Sequence, residues 1–285
     1  MCSKFAQIIK INLPSMQILN IAGYKFIELN NLESLRTSLL EHCCALKGTI
    51  LLSHEGINIS LAGSADAVCA FQARLKSDAR FKDIRFHQSV SSAIPFKHLK
   101  VKIKKEIITL RQPEADPRAL RAPVITPAEF RQWMDENRDF TLLDTRNDYE
   151  IRFGTFTGAV DLGIADFSEF PSAAASIGRN KPVVMFCTGG IRCEKAALHL
   201  LSQGYQEVYQ LEGGILGYFK QIGGAHYEGE CFVFDERISV NSCLQHTGTL
   251  QCQVCQGPVT REQQILPGYI PDISCPSCTR ASQRT

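Results

Sequence analysis

Val183-Val-Met-Phe-Cys187-Thr-Gly-Gly-Ile-Arg192-Cys193-Glu-Lys-Ala196 decides how this chain is read. Val183 to Cys187 reads as a buried strand, an apolar run of strand length rather than an alternating one. A helix is expected over Ile191–Gln203, so the strand runs into a helix through a short loop. In open α/β sheets, sites lie beyond the carboxyl ends of such strands. Gly189 and Gly190 let the backbone curl so that successive N–H groups converge on Cys187, forming an anion nest. Those amides and the helix dipole favour thiolate, which can bring a cysteine pKa from ~8.5 into the ~3.5–7.5 range. Arg192 adds a charged fork at the other end of the loop. The plain alternative is a structural cysteine before a tight turn, and it leaves the glycines and the arginine together unexplained. Cys193 has two readings: it resolves a persulfide or disulfide at Cys187, or it packs.

Around this stretch, helix and strand alternate: Pro127–Asn137 helix, Thr141–Asp144 strand, Glu207–Gln210 strand. That order implies a parallel sheet covered on both faces. Three prolines between Arg111 and Pro123, with mixed charge and no periodicity, mark a linker. Upstream, a strand over 18–29, a helix from Leu32 to Leu46, strands Thr49–Ser53 and Ile57–Leu61, a helix capped by Ser64 and a strand over Phe81–Val90 give the βαββαβ order of a ferredoxin-like domain. Val101, Ile103 and Ile107 suggest one more strand, whose other face is Lys100, Lys102 and Lys104. The expected division is 1–110 ferredoxin-like, 111–123 linker, 124–225 α/β domain and 226–285 a cysteine-rich segment.

At 285 residues, with 44% hydrophobic and 21% charged residues, the chain is neither disordered nor fibrous. No apolar run approaches the ~20 residues of a membrane helix. Lys4 and Lys10 interrupt what would be a signal-peptide core, so the expected location is the cytoplasm. Residues 1–111 carry 16 Lys and Arg against 8 Asp and Glu, although the whole chain is only +2. That excess fits a polyanion partner, and Lys97, Lys100, Lys102, Lys104 and Lys105 form its densest run. The alternative is the wet face of an edge strand protected against aggregation.

Twelve cysteines are too sparse for a disulfide scaffold of this length. Cys252-x2-Cys255-x19-Cys275-x2-Cys278 instead has the spacing of a four-thiolate zinc site, which would staple a tail too poor in apolar residues to build its own core.

Asp144-Thr-Arg146-Asn-Asp-Tyr-Glu150, Gly154-Thr-Phe-Thr-Gly158-Ala159, the Cys187 loop and Leu211-Glu-Gly213-Gly214-Ile215 resemble the ordered signatures of a rhodanese domain. The six-residue loop from Cys187 to Arg192 is the length found in sulfurtransferases, one residue shorter than in the related phosphatases. Gly48-Thr-Ile-Leu-Leu-Ser-His-Glu-Gly-Ile-Asn58, the Pro95–Ile107 segment and Gly229-Glu-Cys-Phe-Val-Phe-Asp-Glu-Arg237 extend the likeness over roughly residues 18 to 240, to the rhodanese-like, oxygen-dependent tRNA uridine hydroxylases. The resemblance implies 5-hydroxylation of the wobble uridine in the tRNA anticodon loop, with molecular oxygen and an electron donor. It places Cys187 at the proposed active-site persulfide position and makes Thr188, Gly189, Gly190, Ile191 and Arg192 its loop. Asp144 and Arg146 are accessory candidates, expected to buttress the loop rather than react. The residues themselves account for a nucleophilic sulfur, but they display no iron triad, dinucleotide fingerprint or flavin motif. A plain sulfurtransferase and a non-catalytic RNA- or protein-binding module therefore stand beside the hydroxylase.

Overall fold

The structure is a computed structural model, and it describes residues 17–278. The Lys4 and Lys10 reading and both ends of the expected domain division lie outside those residues.

The N-terminal domain runs β1 (Ile18–Phe26), α1 (Leu32–His42), β2 (Lys47–Ser53), β3 (Gly56–Ser64), α2 (Ala65–Ser77), β4 (His87–Ser91) and β5 (Leu99–Ile103). Its strands lie in the order β4-β1-β3-β2-β5. β5 runs parallel to β2, and every other pairing is antiparallel. Ser64 caps α2 by accepting a hydrogen bond from the Ala67 N–H. Because side chains alternate across a strand, one face presents Ile21, Ile50, Ile57, Ile59, Leu61 and Val101 to the buried core with Val68 and Phe71 of α2. The other face carries two rows set by register: Ala22–Ser60–Thr49–Lys100 and Tyr24–Asn58–Leu51–Lys102. The strand expected over Phe81–Val90 begins only at His87. Residues Ala79–Phe81 form a 3-10 turn, and Phe81 and Ile84 plug the core from irregular backbone. β5 likewise stops at Ile103, before the buried Ile107.

The second domain runs β6 (Val124–Ile125), α3 (Pro127–Asp135), β7 (Thr141–Asp144), α4 (Asp148–Ile151), β8 (Gly154–Phe156), β9 (Val160–Asp161), α5 (Phe170–Ala173), β10 (Val183–Phe186), α6 (Ile191–Ser202), β11 (Val208–Leu211) and α7 (Gly214–Ile222). The main sheet is parallel, in the order β6-β11-β10-β7-β9. Val183 and Met185 of β10 enter one hydrophobic cluster, and Val184 and Phe186 enter another on the opposite face. Both faces are therefore covered, as a continuous apolar strand requires.

The segment beyond Gly224 differs in part from expectation. β12 (Tyr227–Gly229) pairs with β8, and β13 (Cys231–Phe232) pairs with β14 (Ser239–Val240). Cys231, Val233 and Val240 thereby join the core of the second domain. Only the last part, with β15 (Leu250–Gln251) and β16 (Pro258–Val259), depends on a small cluster of Cys252, Val259 and Cys275. No helix among the described residues is long and apolar enough to cross a membrane.

The two domains are pinned by Lys195 of α6, which is buried and reaches Glu55 (2.7 Å) and Glu106 (2.6 Å) of the N-terminal domain. The 111–123 stretch is docked along this seam, with Ala115 and Ala122 buried.

Candidate active site

β10 ends at Phe186, and the next residue, Cys187, has no surface exposed. Its Sγ accepts a hydrogen bond from the Gly190 N–H at 3.1 Å. Gly190, at φ 101°, is the residue before α6. That left-handed backbone is what turns its N–H inward, and it favours glycine. Burial opposes ionisation of Cys187. It is outweighed by donation from the Cys193 thiol, the nearby Arg192 charge, and the Arg192 and Gly190 amides, which together bring the pKa down to about 5. Burial and the neighbouring Cys187 charge hold Cys193 well above the ordinary thiol range. The pair is thus one thiolate and one thiol. Cys193 also contacts the Thr145 hydroxyl at 3.5 Å.

Arg192 is held by a residue that the sequence did not single out. Glu150 of α4 is fully buried and takes both guanidinium arms, at 2.5 and 2.8 Å. Burial would raise the Glu150 pKa, but the Arg192 charge and hydrogen bonds, with Arg146 behind them, lower it instead. Asp144 and Arg146 form a second buried pair, 2.6 Å apart. Arg146 reaches the Gly154 carbonyl and Asp144 accepts from Thr155, so the pair ties β7 to β8. Neither residue lines the cavity described next.

The loop forms the floor of a cavity of about 550 Å³, within the range of small-molecule sites. Its walls include Cys187, Thr188, Gly189, Ile191 and Arg192. Its roof is the open face of the N-terminal sheet, including Tyr24, Thr49, Leu51, Asn58 and Ser60. Cys187 therefore lies buried at the floor of a cleft between the two domains. Lys100 and Lys102 end the two residue rows that cross this roof, and with Lys97, Lys104 and Lys105 they are exposed. Among the aromatics following Asp144, Phe153 and Phe156 are core residues, while Tyr149 lines the cavity.

Two N-terminal residues reach the loop. The Tyr24 hydroxyl donates to Glu194 at 3.2 Å and lies against Gly190. The His87 ring lies against Gly189, Gly213 and Gly217 and hydrogen-bonds the Gly189 carbonyl. Burial lowers the His87 pKa despite that bond, so its imidazole is neutral. His54 and Glu55 form the turn between β2 and β3. Glu55 accepts from the Ile107 N–H as well as pairing with Lys195.

In the tail, the Cys252, Cys255, Cys275 and Cys278 sulfurs all lie within 4.8 Å of one another. Cys252–Cys278, Cys255–Cys275 and Cys275–Cys278 are 3.8, 3.7 and 3.6 Å apart. This cluster can hold a metal ion. Arg152 fastens it to the second domain through the Cys255 carbonyl at 2.6 Å.

Residues 18–107 match the UPF0176 acylphosphatase-like domain, and residues 126–221 match the rhodanese-like domain. The chain is 50% identical over 279 residues to a tRNA uridine(34) hydroxylase of Cupriavidus taiwanensis, covering 94% of this chain and 99% of that one. It is also 50% identical to the tRNA uridine(34) hydroxylase of Ralstonia nicotianae, covering 92% and 97%. The chain belongs to the tRNA uridine(34) hydroxylase family. In this chain an acylphosphatase-like domain is set over a rhodanese-like loop.

The ionisation of Cys187 is directly measurable. Its alkylation by a small uncharged reagent should hold its rate through neutral pH and lose it as the pH falls through about 5, where thiolate becomes thiol. Cys193→Ala removes a donor and should move the inflection upward. A wild-type inflection near the ~8.5 of an ordinary cysteine would show that the nest does not act on the sulfur.

Proposed function

We propose that this chain hydroxylates uridine 34 of tRNA at carbon 5, with Cys187 as the reacting residue. The reaction joins uridine, molecular oxygen, two electrons and two protons to give 5-hydroxyuridine and water, and an external reductant supplies the electrons. The observation that carries this reading is a buried sulfur held by the Gly190 N–H beneath a roof whose residue rows end on lysines, in a chain of this family. A base inside a folded anticodon loop must be turned out to reach such a cleft, at a cost in unstacking that is low for a single-stranded nucleotide.

A thiolate acts on uracil as a neutral thiol does not. Its attack at C6 forms an S–C6 bond and moves the C5–C6 electron pair toward the O4 enolate, making C5 nucleophilic. C5 then bonds to one atom of molecular oxygen, giving a C5 hydroperoxide once a proton is taken up; two electrons from the external reductant and two protons cleave its O–O bond, leaving C5–OH and releasing water. Loss of the C5 proton and expulsion of the thiolate then restore the C5–C6 double bond. In this scheme the Gly190 and Arg192 amides receive the departing charge, and Glu150 keeps Arg192 in place. The six-residue loop around a thiolate supports a second reading, persulfide transfer from a small donor to a thiol acceptor.

Nucleoside mass spectrometry of bulk tRNA separates the two. Deleting the gene should remove hydroxyuridine-type modification, and Cys187→Ser should fail to restore it. Sulfur transfer alone predicts unchanged tRNA hydroxylation and turnover of thiosulfate. A non-catalytic module predicts that Cys187→Ser complements fully.

The lysine rim is read as the phosphate-tracking surface. Replacing Lys100, Lys102 and Lys104 with alanine should weaken tRNA binding and reduce the slope of log affinity against log salt by roughly 2 to 3. An unchanged slope would place the RNA elsewhere.

The tail sulfurs are read as a structural zinc site. Zinc–thiolate bonds of ~2.3 Å give a tetrahedron with sulfur–sulfur edges of about 3.8 Å, close to the separations here. Four thiolates leave no open position, so the metal would staple the tail and take no part in the reaction. Metal analysis should find one zinc per chain, and Cys255→Ser should lose it. Substantially less than one in the wild type would remove the assignment.

A further inference from the structure

Phe234 does not behave as a core residue or as an ordinary surface one. The two residues before it, Phe232 and Val233, are buried, while Phe234 is 59% exposed. It lines the Cys187 cavity and also an adjoining pocket of about 100 Å³. The other aromatics of the cavity, Tyr24, Phe96, Tyr149 and Phe167, are buried or half-buried.

Its backbone is fixed although its ring is open. Asp235 and Arg237 form a buried pair 2.5 Å apart, and Arg237 also donates to Ser89 of β4 at 2.7 Å. The Glu236 N–H bonds the Pro95 carbonyl at 3.0 Å, and the Val233 N–H bonds the Ile238 carbonyl at 2.8 Å. Phe232 meets the ring edge-on at 5.3 Å, and the Arg192 guanidinium lies 5.8 Å from its centre. A rigid aromatic left open beside a cavity is pre-organised for a flat apolar ligand, because little ordering cost remains to be met on binding.

We propose that Phe234 is the platform on which the target uracil stacks when it is turned out of the anticodon loop. This rests on the hydroxylase reading above and names the residue that holds the base beside the sulfur. Stacking is tolerant of base identity, so Phe234 would position the nucleotide rather than choose it.

The test is single-turnover hydroxylation of an anticodon stem-loop RNA carrying U34. Phe234→Ala should raise the half-saturating RNA concentration roughly 5- to 150-fold, the span of base–aromatic stacking. Phe234→Tyr and Phe234→Trp should stay near wild type, and Phe234→Leu should resemble alanine. A stem-loop abasic at position 34 should bind wild type and Phe234→Ala equally. The chain has a single tryptophan, Trp133, so the double variant Trp133→Phe, Phe234→Trp carries its only indole at the cavity. That fluorescence should be quenched by the U34 stem-loop and not by the abasic one. Leucine saturating like wild type, or quenching by both RNAs, would overturn the platform while leaving the hydroxylase reading intact. Absence of U34 hydroxylation by the wild-type protein would instead remove the reading beneath it.

Discussion

One ammonium group sets the geometry of the molecule. Lys195 sits in the first turns of α6, about one turn from the loop that cradles Cys187, and its charge is buried between two carboxylates of the other domain. A buried charge is tolerated only when it is paired, and removing one partner of such a pair typically costs ~3–5 kcal/mol. Glu55 and Glu106 are themselves committed: Glu55 accepts from the Ile107 N–H, and Glu106 from the Leu110 and Arg111 N–H groups. The N-terminal sheet is therefore held above the loop, and the cavity is the space this clamp leaves between them. Neither domain encloses that volume by itself.

The charges behind the sulfur alternate in sign: Cys187, Arg192, Glu150, Arg146, Asp144. Each is buried, and each reduces the desolvation cost of the next. Arg192 serves two neighbours. Its guanidinium fork is taken by Glu150, while its charge and its own N–H still stabilise the thiolate. The arrangement fixes the anion while leaving it no exposed surface.

Much of this was legible in the sequence because it rests on local chemistry. Glycines beside a cysteine after a buried strand, the arginine five residues beyond that cysteine, and paired C-x2-C knuckles announce themselves by spacing. Glu150, His87, Tyr24 and Phe234 do not. Glu150 stood inside a quoted motif, but nothing local says that its carboxylate reaches Arg192 across 42 residues of chain. Phe234 likewise stood inside a quoted motif, with nothing to set it apart from Phe232. Its exposure follows from the Arg237–Ser89 and Glu236–Pro95 ties, which only the folded chain brings about. Helix α7 escaped notice because Gly213, Gly214 and Gly217 look like helix breakers. At Gly214 a Cβ would lie 2.4 Å from the Cys187 carbonyl oxygen, so the absence of a side chain is what lets the helix approach the loop.

The His87 contact reaches further than its own ring. A peptide unit is a rigid plate with its oxygen and its hydrogen on opposite edges. The Gly189 oxygen is held by His87, and the hydrogen on the far edge of that same plate is the one Gly190 gives to the Cys187 sulfur. The N-terminal domain thus orients a dipole on the Cys187 sulfur through a peptide unit of the other domain's loop. An isolated rhodanese half would keep every residue of its own loop and yet lose the partner that sets this plate's tilt.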